Sequence, residues 1–140
     1  MQKIKLISVG KTKEKWLEDA INEYIKRLSP YLEFEFIWAK DDIHLVKLVE
    51  KEKNVICLDV EGTLYSSESF AKYILESLEQ GGSRLTLVIG GAEGLPFELK
   101  TKHSKISLSP MTFTHQCTRL ILIEQIYRAF ELAKGSKYHK

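Results

Sequence analysis

Two apolar runs constrain the fold of this chain more than any other feature of its sequence. Residues 55–60 read Val-Ile-Cys-Leu-Asp-Val, and residues 84–89 read Arg-Leu-Thr-Leu-Val-Ile. Strands that are apolar on both faces are typical of a parallel sheet covered by helices on both sides. Helical patterns lie between the strand patterns, and this alternation predicts an α/β fold with a parallel sheet flanked by helices.

Hydrophobic periodicity predicts the order of the elements. Ser66 and Ser67 are expected to begin one helix, Asp41 and Asp42 another, and Gly135 ends the last helix. A turn is expected at 61–63, where Glu-Gly-Thr follows the third strand. The predicted strands cover 3–9, 34–38, 55–60, 84–89 and 105–108, and the helices 14–28, 43–52, 67–80, 96–102 and 114–133.

Length and composition indicate one globular domain over residues 1–140. The net charge of +2 argues against a protein that coats nucleic acid, but leaves a local RNA-binding patch open. No apolar run reaches the roughly 20 residues of a membrane span, and the N-terminus reads as a strand rather than a signal peptide. We therefore expect a cytoplasmic protein with no membrane contact. Cys57 and Cys117 lie in apolar runs and are expected to be buried, reduced thiols.

Several kinds of chemistry have no support in the sequence. A dinucleotide-binding glycine pattern after the first strand, a phosphate-binding P-loop and a nucleophile elbow are all missing. The four histidines lack metal-ligand spacing, so we predict no metal. The glycine-rich strand ends are the remaining candidates for a functional site.

Three predicted strands end in residues that suit a ligand. They are Leu58 with Asp59, Gly90 with Gly91, and Leu108 with the loop that follows it. Ligands of parallel sheets bind beyond the carboxyl ends of the strands. The residues alone therefore predict a nucleoside-sized pocket, with a simple tight turn as the alternative for Gly90 and Gly91.

Five motifs resemble one family, the ribosomal RNA large-subunit methyltransferase H family of the SPOUT superfamily. Three of them are the strand ends themselves, within residues 58–62, 88–94 and 107–115. The other two are residues 66–71 and the segment 124–129 with the C-terminal Tyr138-His-Lys. The resemblance covers essentially the whole chain.

The resemblance implies a methyltransferase that uses S-adenosylmethionine to methylate N3 of a pseudouridine in 23S ribosomal RNA of the large subunit, with the 70S ribosome as substrate. It also implies a C-terminal trefoil knot and a homodimer. The positions that match the family's cofactor contacts are Leu58, Gly90, Leu108, Ser109, Pro110, Met111, Thr112 and Phe113.

Four residues are hypothesised to have catalytic roles. His139 is a candidate base for the N3 proton, Tyr138 is a candidate to stack on the target base, and Arg119 and Arg128 are candidate electrostatic stabilisers. The alternatives are a frayed tail and an Arg128 that only pairs with Glu124. RNA contact is expected from Lys11, Lys13, Lys15 and the lysines of the tail.

Two other functions stay open from the sequence. One is a related knotted methyltransferase that acts on transfer RNA. The other is a non-catalytic nucleotide-binding module, which would keep Gly90, Gly91 and the 108–113 loop but tolerate loss of Tyr138 and His139.

Overall fold

The computed structural model describes residues 1–139 and contains one parallel sheet with helices on both faces. The strands are β1 (Gln2–Val9), β2 (Leu32–Ala39), β3 (Val55–Leu64), β4 (Arg84–Ile89) and β5 (Ser104–Ser107), in the order β2-β1-β4-β3-β5. Every pairing between neighbouring strands is parallel. The predicted α/β class is confirmed, whereas the knot stays a prediction of the resemblance.

Five helices cover the two faces of this sheet, as α1 (Lys15–Leu28), α2 (Asp42–Glu50), α3 (Ser67–Gln80), α4 (Phe97–Lys102) and α5 (His115–Lys134). The larger core lies under α1, α3 and α5, where residues such as Leu17, Ile74 and Ile126 are almost fully buried. The smaller core lies under α2 and α4 and includes Leu45 and Leu99. Burying each such side chain contributes roughly 1.5–3 kcal/mol.

Side-chain caps fix the starts of α2, α3 and α5. Asp41 accepts a hydrogen bond from the His44 N–H, and Ser66 forms a capping box with Ser69. Thr114 accepts from the Cys117 N–H at the start of α5. Each cap satisfies an N–H group that has no partner within its helix, which contributes about 1 kcal/mol. The predicted caps at Asp41 and Ser66 are confirmed.

The predicted turn at 61–63 is wrong, because β3 continues through it to Leu64. Its pairing with β5 is interrupted by a bulge, so that both Leu58 and Thr63 lie opposite Ile106. Gly62 permits this close approach, since a Cβ there would lie 2.7 Å from the Ile106 backbone. The bulge places residues 59–62 at the edge of the predicted ligand site.

The structure corrects one further expectation, which concerns the burial of the two cysteines. Cys57 is buried as expected, but Cys117 is exposed, because it lies on the outer side of the first turn of α5.

Among the helices of residues 1–139, none combines the length and the apolar character that crossing a bilayer requires.

Candidate active site

A pocket of about 630 Å³ lies at the carboxyl ends of β3, β4 and β5. Its size falls within the roughly 300–1,000 Å³ range of sites for small ligands. Parallel strands bring the three predicted strand ends together here, so Leu58, Gly90 and Leu108 all line it. Of the loop residues predicted to bind a cofactor, Ser109, Met111, Thr112 and Phe113 also line it. Pro110 lies between Ser109 and Met111, in the same exposed loop.

Gly90 shapes the floor of the pocket through a close backbone approach. A Cβ on Gly90 would lie 2.4 Å from the Gly94 carbonyl oxygen, which is too close for any side chain. The turn that follows closes with a hydrogen bond from the Gly94 N–H to the Gly91 carbonyl at 3.0 Å. These glycines therefore form a tight turn, and this turn also lines the pocket.

The loop after β5 forms the opposite wall and offers backbone groups to a ligand. The Ser107 hydroxyl donates to the Ser109 carbonyl at 2.9 Å, and the Met111 N–H donates to the Ser109 hydroxyl at 3.0 Å. Within the described chain, residues 110–113 make no backbone–backbone hydrogen bond. Their polar groups, together with apolar walls from Leu58, Leu95 and Leu108, suit a ligand with one flat polar edge and apolar faces.

Asp59 adds a buried carboxylate to this pocket. Its side chain is only 8% exposed, and its Oδ2 atom has no hydrogen-bond partner among the described residues. The ammonium of Lys100 on α4 lies 3.9 Å away, beyond hydrogen-bonding distance, and equally far from the exposed Glu61 carboxylate. Buried polar atoms of this kind usually have a partner, so an unsatisfied one in a pocket points to a ligand.

Arg119 lies inside the protein, close behind the pocket wall. It is fully buried, and its guanidinium lies 4.5 Å above the Trp38 ring. Its Nη2 donates to the carbonyls of Gly10 at 2.6 Å and Val9 at 2.9 Å, and Nη1 donates to the Thr12 hydroxyl at 3.0 Å. Burial lowers the pKa of Arg119 to about 10, so the group stays charged at neutral pH. These contacts favour a structural role over the direct electrostatic role expected from the sequence.

The same end of α5 holds the loop that carries the predicted RNA-binding lysines. The Gln116 amide donates to the Lys11 carbonyl at 3.1 Å and accepts from the Lys13 N–H at 3.1 Å. The side chains of Lys11, Lys13 and Lys15 are exposed. His115 lies on the pocket wall, where burial and then the charges of Arg119 and Lys13 lower its pKa.

The C-terminal tail folds back on the other end of α5 rather than fraying. The Tyr138 hydroxyl donates to the Glu124 carboxylate at 3.0 Å and lies 3.4 Å from the Tyr24 hydroxyl. Its ring packs edge-on against Tyr127 with the centroids 4.8 Å apart. Burial, followed by the hydrogen bonds with Tyr24 and Glu124, raises the pKa of Tyr138, which therefore stays protonated.

His139 joins three elements through both ring nitrogens. Nδ1 lies 3.0 Å from Nη1 of Arg128, and Nε2 lies 2.6 Å from the carboxylate of Glu68 on α3. Since arginine is only a donor, Nδ1 is placed to accept from Arg128, and Nε2–H is placed to donate to Glu68. Arg128 also pairs with Glu124 at 3.1 Å, so the expected i, i+4 ion pair is present. Lys140 lies outside the described residues.

The structure therefore groups the predicted site residues into two separate clusters. The predicted cofactor residues meet near the start of α5, whereas Tyr138, His139 and Arg128 meet near its end. Thirteen residues of helix separate His115 from Arg128, which corresponds to about 20 Å. Within residues 1–139, no group of three or more His, Cys, Asp or Glu side chains is placed to hold a metal ion.

Comparison with known proteins identifies the family of this chain. Residues 2–139 match the family described as "Predicted SPOUT methyltransferase". The Ribosomal RNA large subunit methyltransferase H of Protochlamydia amoebophila is 62% identical over 140 residues, which is all of both chains. The protein of the same name from Streptococcus uberis is 44% identical, over 99% of each chain. The chain belongs to the SPOUT methyltransferase family.

Solved structures agree with this assignment at the level of the fold. A probable methylase family protein from Haemophilus influenzae superimposes with a TM-score of 0.59 at 11% identity, covering 96% of this chain and 67% of that one. TrmJ from Z. mobilis superimposes with a TM-score of 0.52 at 13% identity, covering 92% and 70%. Both likenesses concern the fold alone.

Several residues of this SPOUT methyltransferase were not singled out from the sequence. Glu68 and Tyr24 hold the tail, and Gln116 clamps the lysine loop. These roles depend on contacts between residues far apart in the chain. Asp59 was named only as part of a strand end, and the structure adds that its Oδ2 atom has no partner among the described residues.

Proposed function

We propose that this chain methylates N3 of a pseudouridine in 23S ribosomal RNA of the large ribosomal subunit, with S-adenosylmethionine as the methyl donor. One observation carries the proposal. The pocket at the three strand ends is built by the same residues that match the family's cofactor contacts, in a chain that aligns from end to end with methyltransferases of that name.

The pocket fits the proposed donor in shape and in chemistry. Leu58, Leu95 and Leu108 provide apolar walls for a purine, and the backbone of residues 110–113 provides polar groups for its edge. The donor's sulfonium makes its methyl group electrophilic. The protein therefore has to position the acceptor nitrogen and remove its proton, rather than create a new electrophile.

The tail cluster supplies groups suited to that proton. The Nδ1 lone pair of His139 accepts from Arg128. Acting as a base requires His139 to release Arg128, whose guanidinium then becomes available to stabilise the negative charge that develops on the pseudouridine ring. Tyr138 keeps its proton. Arg128 lies over its ring at 5.0 Å, so the same release uncovers an aromatic face that suits stacking on the target base.

A complete site needs a second copy of the chain. The tail cluster lies about 20 Å along α5 from the pocket wall, too far for His139 to reach a methyl group there. A homodimer that places the tail of one protomer beside the pocket of the other brings the two clusters together. We therefore include the homodimer and the shared site in the proposal.

RNA contact is assigned to the lysine loop. Lys11 and Lys13 are exposed, and Gln116 and Arg119 fix the loop that carries them next to the pocket. One protomer offers few phosphate contacts, so a folded ribosomal target and the second protomer contribute the remaining recognition. A protein that modifies ribosomes acts in the cytoplasm.

The experiment is methyl transfer from labelled S-adenosylmethionine to ribosomes that lack this modification, with the product nucleoside identified by mass. Free ribosomal RNA, separate subunits, whole ribosomes and transfer RNA are compared as substrates. We expect label on pseudouridine of the large-subunit RNA in whole ribosomes. Label on transfer RNA alone, or tight donor binding with no label on any RNA, contradicts the proposal.

A further inference from the structure

The contacts of the buried Asp59 carboxylate reveal no role for it in stabilising the fold. Its Oδ1 atom accepts only a long hydrogen bond of 3.5 Å from the Glu61 N–H, and Oδ2 has no partner among the described residues. A carboxylate loses strong hydration when it is buried, and an unmade hydrogen bond costs about 1–3 kcal/mol. The fold tolerates this cost at the wall of the pocket at the strand ends.

The charges around Asp59 do not cancel. The carboxylates of Asp59 and Glu61 share one nearby cation, the Lys100 ammonium, at 3.9 Å from each. The Glu61 side chain is 76% exposed and well hydrated, whereas that of Asp59 is 8% exposed. The pocket wall therefore carries excess negative charge at the one carboxylate that water reaches poorly.

His115, the other ionisable side chain on the pocket wall, does not offset this charge. Burial and the neighbouring cations Arg119 and Lys13 lower its pKa, which favours the neutral imidazole at neutral pH. Arg119 itself is directed toward the loop after β1, with its guanidinium bound to the carbonyls of Val9 and Gly10. The pocket consequently presents an electrostatic preference for a cation.

We propose that Asp59 makes the pocket distinguish the methyl donor from the demethylated product by charge. S-adenosylmethionine carries one more positive charge than S-adenosylhomocysteine, because the sulfonium becomes a neutral thioether when the methyl group leaves. A buried carboxylate stabilises the first and gains much less from the second. The enzyme thereby binds the donor and releases the product, and this inference rests on the proposed function.

The test measures the affinity of both ligands by calorimetry for the wild type, Asp59→Asn and the control Glu61→Gln. Glu61 has the same distance to Lys100 but is exposed, so it controls for loss of a charge near that lysine. Asp59→Asn should lower the affinity for S-adenosylmethionine about tenfold and change the affinity for S-adenosylhomocysteine by less than about twofold. Glu61→Gln should change either affinity by less than about twofold.

Two results for Asp59→Asn overturn the inference. Equal weakening of both ligands means that Asp59 binds a group they share, and unchanged affinities mean that it binds neither. A second readout separates a ligand-binding role from a structural one, namely the unfolding of the protein without ligand. Since the substitution removes an unsatisfied buried charge, the unfolding free energy should stay equal or rise.

A ligand series on the wild type tests the same inference without any substitution. It adds an analogue in which a protonated amine replaces the methylsulfonium group. The analogue should bind like S-adenosylmethionine, and S-adenosylhomocysteine should bind more weakly. Equal affinity for all three overturns the charge-based inference but leaves the proposed function intact, whereas a wild type that binds none of them overturns both.

Discussion

The two ends of α5 carry similar side chains and hold them in opposite ways. At the N-terminal end, Arg119 is fully buried and bound to two hydroxyls and two carbonyls at the end of β1 and in the loop after it. At the C-terminal end, the Arg128 side chain is 22% exposed and bound to the titratable partners Glu124 and His139. The comparison separates an arginine whose partners carry no charge from one whose partners are ionisable side chains.

Burial and the nature of the partners explain this difference. Carbonyl and hydroxyl acceptors do not change charge, so the Arg119 network has a single state at working pH. Glu124, Glu68 and His139 are ionisable side chains, so the network around Arg128 includes groups that exchange protons in catalysis. A site that must exchange protons is expected at the second end, and a pre-formed cofactor pocket at the first.

The largest expected effect comes from truncation after Lys137, which removes Tyr138, His139 and Lys140. Loss of the candidate base should lower methyl transfer at least about a thousandfold, within the range for general base catalysis. The affinity for S-adenosylmethionine should stay within about twofold of the wild type, because the pocket lies at the other end of α5. Calorimetry alongside the labelled assay checks both values, and a large loss of donor affinity would make the tail part of the pocket.

The next effect in size concerns Arg119→Met. It leaves the Val9 and Gly10 carbonyls and the Thr12 hydroxyl without their donor, so the free energy of unfolding should fall by about 2–4 kcal/mol. Arg84→Met is the matched control, because Arg84 also donates to backbone carbonyls but is exposed. It should cost less than about 1 kcal/mol in the same urea titration. Equal losses would contradict the structural role of Arg119.

A smaller effect concerns the pH dependence of stability, to which Glu131 near the C-terminal end of α5 contributes. Hydrogen bonds from Tyr31 and Ser136 and the charge of Lys134 lower the pKa of Glu131. A lowered carboxyl pKa stabilises the fold above the ordinary value near 4.5 and loses that contribution as pH falls through the folded value. Glu131→Gln should remove about 1 kcal/mol at pH 7 and reduce the loss of stability between pH 5 and about pH 3. Urea titrations across this range check it, and an unchanged acid slope would assign that slope to other carboxylates.

The smallest effect concerns the lysine loop held by the N-terminal end of α5. Replacing Lys11 and Lys13 with Gln should weaken ribosome binding a few-fold at about 0.1 M salt and reduce the slope of log affinity against log salt by about 1.5. The same change at Lys47 and Lys51, on the opposite face of the sheet, is the control. Donor affinity should stay the same in both variants. An unchanged salt slope would remove the loop from the RNA surface.

Local patterns were enough to predict most of the fold and the pocket at the strand ends. The apolar runs at 55–60 and 84–89 gave the strands, and the topology of a parallel sheet then brought Leu58, Gly90 and Leu108 together. The strand through Gly62 was missed, because a bulge depends on the backbone of β5 rather than on local turn residues. Arg119 looked functional for a similar reason, since its partners lie more than a hundred residues away.

The most direct test of this account is complementation between two inactive chains. One carries Gly90→Val, whose side chain clashes with the Gly94 backbone and so disrupts the pocket floor, and the other lacks residues 138–140. Neither homodimer should transfer methyl groups, but a mixed dimer contains one intact pocket beside one intact tail. Unfolding and refolding equal amounts together should restore about a quarter of wild-type activity, because half of the dimers are mixed and each has one working site. No recovery, in mixtures shown by mass to contain the mixed dimer, would contradict a site shared between protomers.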